Sequence, residues 1–254
     1  YGCINNLFID LRLIKESIYE KTFDYHINDF KLIENEFTSN NDHIICCYIG
    51  NCSIGKKLLE KILNSNKVKL PILIIFGKYE NYLLLKNLCN KFVNKFIFLS
   101  KEYGNDIIPT LQIINFIQKY DNIKYIYKFH TKGDSKWFND CTDYLLENDY
   151  LNSYLDFSYC NCLTHPKYII DVNKVGIKKH CNYLKNLYKV YINKTKFAAG
   201  SIFYTSNDVY KKIINFIKCN NYRSFFLNNT YDHNFVNFET SPVHFLERLF
   251  GMIK

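Results

Sequence analysis

The sequence has no Cys-x-x-Cys pair, no dense block of like charge, and no apolar stretch near the roughly 20 residues of a membrane-spanning helix, and no signal peptide is expected. Each absence removes a class of protein. Without Cys-x-x-Cys units a cysteine-based zinc site has little support, and Cys160-x-Cys162 alone is too weak a signal for one. Without a long apolar run no transmembrane segment is expected. The net charge is +9, from 33 Lys and Arg against 24 Asp and Glu. The lysines are scattered along the chain, so we read a solvated basic surface and expect no nucleic-acid partner. No internal repeat or low-complexity linker divides the chain.

What is present is globular. The 254 residues are 48% hydrophobic and 22% charged, enough to bury a core without staples. The many Tyr, Phe, Asn, Lys and Ile residues read as AT-rich coding, as in a large virus. The ten cysteines are irregularly spaced and read as reduced core residues. The expected location is therefore the cytoplasm, the host's if the genome is viral. The chain begins at Tyr1 without a methionine, so we expect one domain of a longer protein.

Residues 1–40 mix polar and apolar positions at helical spacing (Leu7, Leu11, Ile14, Ile18) and read as a helical lead-in. From residue 41 the pattern changes. Apolar runs at 43–50, 70–77, 95–100 and 123–130 alternate with amphipathic stretches, which predicts a mostly parallel sheet with crossover helices in a layered α/β sandwich. The second half is less regular, with an apolar stretch at 168–177 and a run at 196–206 that reads as a strand with a glycine kink. Helices are expected near 180–191, at 207–218 and after Pro242. We read one domain over 41–254, with a nucleotide-binding half to 135 and an acceptor half from 136.

Four stretches carry candidate chemistry. Gly50-Asn51-Cys52-Ser53-Ile54-Gly55-Lys56-Lys57 follows a strand and opens a helix, as a phosphate-cradling loop does. It lacks the metal-binding hydroxyl at its last position, so a helix start capped by Ser53 is the better reading. In "KEYGNDIIPTLQ" (101–112), Asn105 or Asp106 can cap a helix that tolerates Pro109 in its first turn. In "YIYKFHTKGDSKW" (125–137), Lys128, His130 and Lys132 alternate and so share one face of a strand end. Two cations on one face repel unless an anion lies between them. A diphosphate would serve, and solvated lysines are the bland alternative. In "ETSPVHFLERLFG" (239–251), His244, Glu247 and Arg248 share a helix face, which an intrahelical Glu–His pair would also explain.

The last three of these stretches, together with "FAAGSIFYTSNDVY" (197–210), resemble the rhamnan-synthesis F family of glycosyltransferases. That family shows an N-x-G-x-D-I-x-P-like turn, a K-x-H-T-K strand end followed by a Trp, an A-G-S/T-x-F segment and a closing H-x-x-E-R helix. The resemblance covers roughly residues 43–251. It implies a GT-A-like, Rossmann-like fold and inverting transfer of rhamnose or another 6-deoxyhexose. The donor would be a UDP-, dTDP- or GDP-sugar and the acceptor a glycan or glycoprotein. Glu239, then Glu247, would be the base, with His244 beside them. Tyr48, Asp106, Lys128, His130, Thr131, Lys132, Asp134, Gly200, Ser201 and Arg248 would line the donor site. Lys128 or Lys132 with His130 would stand where relatives hold a metal, so no cofactor is required; if Mn or Mg is used, Asp134 and His244 would hold it. The alternatives are a non-catalytic carbohydrate- or nucleic-acid-binding module and a P-loop-like nucleotide-binding protein.

Overall fold

The apolar runs of the first half carry too few polar residues for either face of a strand to meet water, and they assemble as a buried parallel sheet. The computed structural model describes residues 30–35, 41–100, 106–118, 120–131, 133–150, 157, 159–173, 192, 194–219 and 242–254. Within it His43–Ile49 (β2), Ile72–Phe76 (β3), Lys95–Ser100 (β4) and Tyr125–His130 (β5) lie in the order β4-β3-β2-β5, all parallel. Helices Cys52–Leu63 (α1), Tyr79–Cys89 (α2) and Ile107–Ile117 (α3) connect them, and Ser135–Glu147 (α4) follows β5.

Side-chain alternation along the strands decides which helix covers which face. Ile45, Cys47, Ile72 and Ile74 pack with Leu58 of α1, Leu85 of α2 and Leu145 of α4. Ile44, Cys46, Leu73 and Ile75 pack with Leu111 of α3 and with two later helices, Asn207–Cys219 (α5) and Pro242–Met252 (α6). The result is three layers. Fully burying one such side chain contributes about 1.5–3 kcal/mol, so Ile74→Ala alone should cost about 2–5 kcal/mol. The chain steps from β2 to β3 to β4 under α1 and α2, then returns over the other face through α3 to β5. That reversal puts a topological switch point between β2 and β5, and in open α/β sheets ligands bind beyond the carboxyl ends of the strands at such a point.

The second half extends the same sheet. Phe203–Ser206 (β9) pairs antiparallel with β5, setting Phe203 opposite Lys128, and Cys162–Leu163 (β6) pairs with β9. Phe30–Asn35 (β1) closes the other edge antiparallel to β4, giving the order β1-β4-β3-β2-β5-β9-β6. A second, two-stranded sheet joins Ile169–Asp171 (β7) to Lys196–Ala198 (β8). Strands from both sides of residue 135 share one sheet and one core. Among the described residues no helix is long and apolar enough to cross a membrane.

Three expectations need correction. Residues 30–35 of the expected helical lead-in are an edge strand, while 1–29 and 36–40 lie outside the described residues. Residues 196–206 are two strands in different sheets rather than one kinked strand, because the chain turns at Gly200 and Ser201. The cap of α1 is Asn51, whose side chain accepts from the Ile54 N–H at 3.0 Å, and not Ser53. The helix expected near 180–191 falls outside the described residues.

Candidate functional site

The apolar pattern of β5 does not explain Lys128 and His130. Alternation sends both to the face of Ile126, toward α3, α5 and α6. Lys128 is fully buried, and an ammonium without water requires an anion and hydrogen bonds. Asp106, the residue before α3, is that anion. Lys128 Nζ donates to the Asp106 carboxylate and, at 2.7 Å, to the carbonyl oxygen of Ser201. His130 Nδ1 lies 3.5 Å from the same carboxylate oxygen. Burial by itself would raise the Asp106 carboxyl, but His130 and Lys128 outweigh it and hold the group below its ordinary 3.8. The anion beside Lys128 is therefore the protein's own. Lys128 is an internal ion pair rather than a contact open to a donor. The Asp106 side chain binds Lys128, while its main-chain carbonyl accepts from Thr110 at 3.1 Å to start α3.

Lys128 also reaches the turn ahead of β9. Because β9 runs antiparallel to β5, it enters the sheet at the edge where β2 and β5 leave it, so residues 199–201 stand beside the carboxyl ends of those strands. Gly200 has φ +83° and Ser201 φ +53°. The left-handed region disfavours an L-residue such as serine by roughly 1–2 kcal/mol, and such a residue persists where its surroundings over-determine it. Four contacts do so here. Lys128 holds the Ser201 carbonyl. The Glu247 carboxylate on α6 accepts from the Gly200 N–H. The Ala199 N–H donates to the Tyr168 carbonyl at 2.9 Å. The Trp137 indole fills the space beside Gly200, where a Cβ would come within 2.6 Å of it. Trp137 stacks on Tyr168 with ring centroids 4.6 Å apart, and the Tyr168 hydroxyl donates to Asp140 at 2.8 Å. Arg248 lies 5.8 Å from the centre of the Phe197 ring.

The ends of β2 and β5 are clamped together. Thr131 Oγ1 accepts from the N–H groups of Gly50 and Asn51 at 2.9 and 3.1 Å, and the Thr131 N–H donates to the Tyr48 carbonyl at 3.1 Å. Thr131 is thus a link between the two loops. The same bonds account for the phosphate-loop look of residues 50–57: its first two N–H groups are taken. Gly55 lies inside α1, where a Cβ would press within 2.5 Å of Ile49. Tyr48 stands opposite His130, its ring between Gly50 and Gly77. Asp134 is exposed and caps α4, accepting from the Trp137 N–H at 2.9 Å.

Asp106, Lys128, His130, Gly200, Ser201 and Glu247 thus form one connected cluster. Thr131 and Tyr48 flank it, and Asp134 stands at the start of the helix that carries Trp137. Lys132, Glu239 and the side chain of His244 lie outside the described residues. Among the described residues no three His, Cys, Asp or Glu side chains gather to hold a metal ion. Two residues of the cluster were not singled out from the sequence. Trp137 was visible as the end of the K-x-H-T-K stretch, but nothing local marks it as the wall of a distant turn. Tyr168 carries no local signal at all. A separate open cleft of about 600 Å³, lined by Lys57, Lys61, Asp143 and Glu147 among others, lies between α1 and α4. Its charges are of both signs, and Lys61 donates to Asp143 within it. Compared with known protein families, with curated proteins and with solved structures, the chain matches none.

Proposed function

We propose that the chain is a GT-A-like glycosyltransferase that moves a sugar, a 6-deoxyhexose such as rhamnose, from a nucleoside-diphosphate donor to a glycan or glycoprotein acceptor. One observation carries this reading. Asp106, the strand end Lys128–His130, the turn Gly200–Ser201 and Glu247 of α6 come from four separated segments and meet in one bonded cluster. Those are the four segments on which the resemblance to the rhamnan-synthesis F family rests. The cluster stands at the carboxyl edge of the parallel strands beside their switch point, where an open α/β sheet binds ligands.

In this chemistry an acceptor hydroxyl oxygen attacks the anomeric carbon. The bond from that carbon to the diphosphate oxygen breaks, its electron pair leaves with the diphosphate, and the hydroxyl proton passes to a carboxylate. Glu239 and Glu247 are the candidate bases, and Glu247 is the one fixed against the turn. With Lys128 matched by Asp106, the charge of the leaving group falls to His130, Lys132 and Arg248. We keep transfer without a metal as part of the proposal.

The experiment is a screen of UDP-, dTDP- and GDP-sugars and the free nucleoside diphosphates, read by thermal shift and by release of nucleoside diphosphate. A ligand at a hundred times its dissociation constant adds about 2.7 kcal/mol of stability, so binding is easily seen. The expected result is a shift with at least one donor and slow hydrolysis of it. A shift with free carbohydrate but none with any nucleotide would point to a non-catalytic binding module, and no shift at all would end the donor reading.

A further inference from the structure

We infer that Asp106 and Lys128 are positioning residues: together they hold the Gly200–Ser201 turn in its left-handed form and, through the Gly200 N–H, set the carboxylate of Glu247. The kinetic consequence rests on the proposed sugar transfer; the geometric one does not.

A buried ion pair seldom stabilises a fold more than well-packed apolar residues of the same volume would. Its presence at the centre of this cluster therefore asks for another role. An ammonium at residue 128 does one thing that a methionine there would not: it donates to the Ser201 carbonyl at 2.7 Å. Asp106 fixes the ammonium on its other side, and Asp106 is itself fixed at the start of α3 by its carbonyl bond from Thr110. The line of contacts runs from α3 through β5 to the turn before β9, and from the turn to α6. Lys128 is fully buried, so it can exert this effect on a reacting group without touching a substrate. A group set by a shared turn loses its alignment when the turn relaxes, and small misplacements of a reacting group are large in rate.

The chain carries its own reporter. Trp137 is the single tryptophan, and its indole packs against Gly200. Its emission and its quenching by acrylamide therefore read the turn directly, whether or not a reaction is being followed. The test is the double variant Asp106→Leu/Lys128→Met, which removes both charges together. Asp106→Asn, which keeps the shape of the carboxylate, supplies the same readouts if the double variant does not melt cooperatively. The expected result is retained secondary structure, a shifted Trp137 emission with increased quenching, and kcat lowered about tenfold or more while donor KM changes little. Lys128→Arg, which keeps a donor, should recover part of the emission and of the rate. An unchanged Trp137 signal and unchanged kcat would reduce the pair to a fold element and overturn the inference. A loss of nucleoside-diphosphate affinity at unchanged kcat would overturn it in favour of direct donor contact. If the wild-type protein turns over no nucleotide-sugar, the proposed function fails, while the Trp137 readout still decides whether the pair holds the turn.

Discussion

The indole of Trp137 stands where a side chain on residue 200 would have to go, its Cε2 within 2.6 Å of a Cβ built there. This ties the first turn of α4, capped by Asp134, to the left-handed turn that precedes β9. Glycine at 200 is thus required twice, once by φ +83° and once by the ring.

Gly200→Ala should destabilise the fold by about 2–4 kcal/mol, combining an unfavourable backbone conformation with overpacking. In a double-mutant cycle with Trp137→Leu, the two losses should sum to more than the double variant shows, because the smaller side chain relieves the clash. Additive losses in denaturant titrations would place the cost in the backbone alone.

Ser201 offers a contrast on the neighbouring residue. Its φ of +53° favours glycine, but glycine also loses more chain entropy on folding, so Ser201→Gly should leave stability within about 1 kcal/mol of wild type. Ser201→Val should lose about 2 kcal/mol or more, since a β-branched side chain is poorly accommodated there. Equal melting temperatures for the two variants would show that the turn relaxes freely.

Acid should act on Asp106. Its carboxyl is held below 3.8 in the folded chain, so the folded state binds that proton more weakly than the unfolded state does. The contribution is therefore fully present above the unfolded value of about 3.9 and is lost as pH falls through the depressed folded value. Asp106→Asn should flatten the acid limb of stability against pH. At neutral pH it should also cost about 3–5 kcal/mol, by leaving the Lys128 ammonium buried without its anion. Unfolding followed from pH 7 down to pH 2 in both proteins reads both effects.

Lys132→Ala tests the expected contact of this lysine with the diphosphate. Nucleoside-diphosphate affinity should fall by about 1–3 kcal/mol if the ammonium meets the diphosphate, with melting of the ligand-free protein hardly changed. Calorimetric titration and a ligand-free melt separate the two, and an equal loss in both would make the lysine structural.

The base and the metal are read together. Glu239→Gln should slow the chemical step about a hundredfold or more at nearly constant donor affinity, and turnover should survive a strong chelator. A Glu239→Gln enzyme of normal rate would move the base to Glu247, where the same substitution should then abolish turnover. Activity lost to EDTA and restored by manganese would sink the metal-free part.

What the sequence by itself determined is what rests on local period. Runs such as Ile72–Phe76 and Cys46–Ile49 are apolar on both faces, and the stretches between them have helical spacing. Buried strands and covering helices follow from that wherever the rest of the chain lies. The strand that ends at His130 and the two cations on one of its faces were legible for the same reason. The edge strand Phe30–Asn35 was not, because Lys31, Glu34 and a register shift between Leu32 and Glu34 break its alternation, and charges and bulges of this kind protect a sheet edge. Only the tertiary structure decided what neutralises Lys128, why 196–206 divides between two sheets, and that Trp137 and Tyr168 wall the turn. Each of those depends on a contact between residues far apart in the chain, between α3 and β5, β5 and the turn before β9, or α4 and Gly200. Periodicity tells which face a side chain takes, but a partner is chosen by the packing of whole elements, and that choice exists only once the sheet has formed.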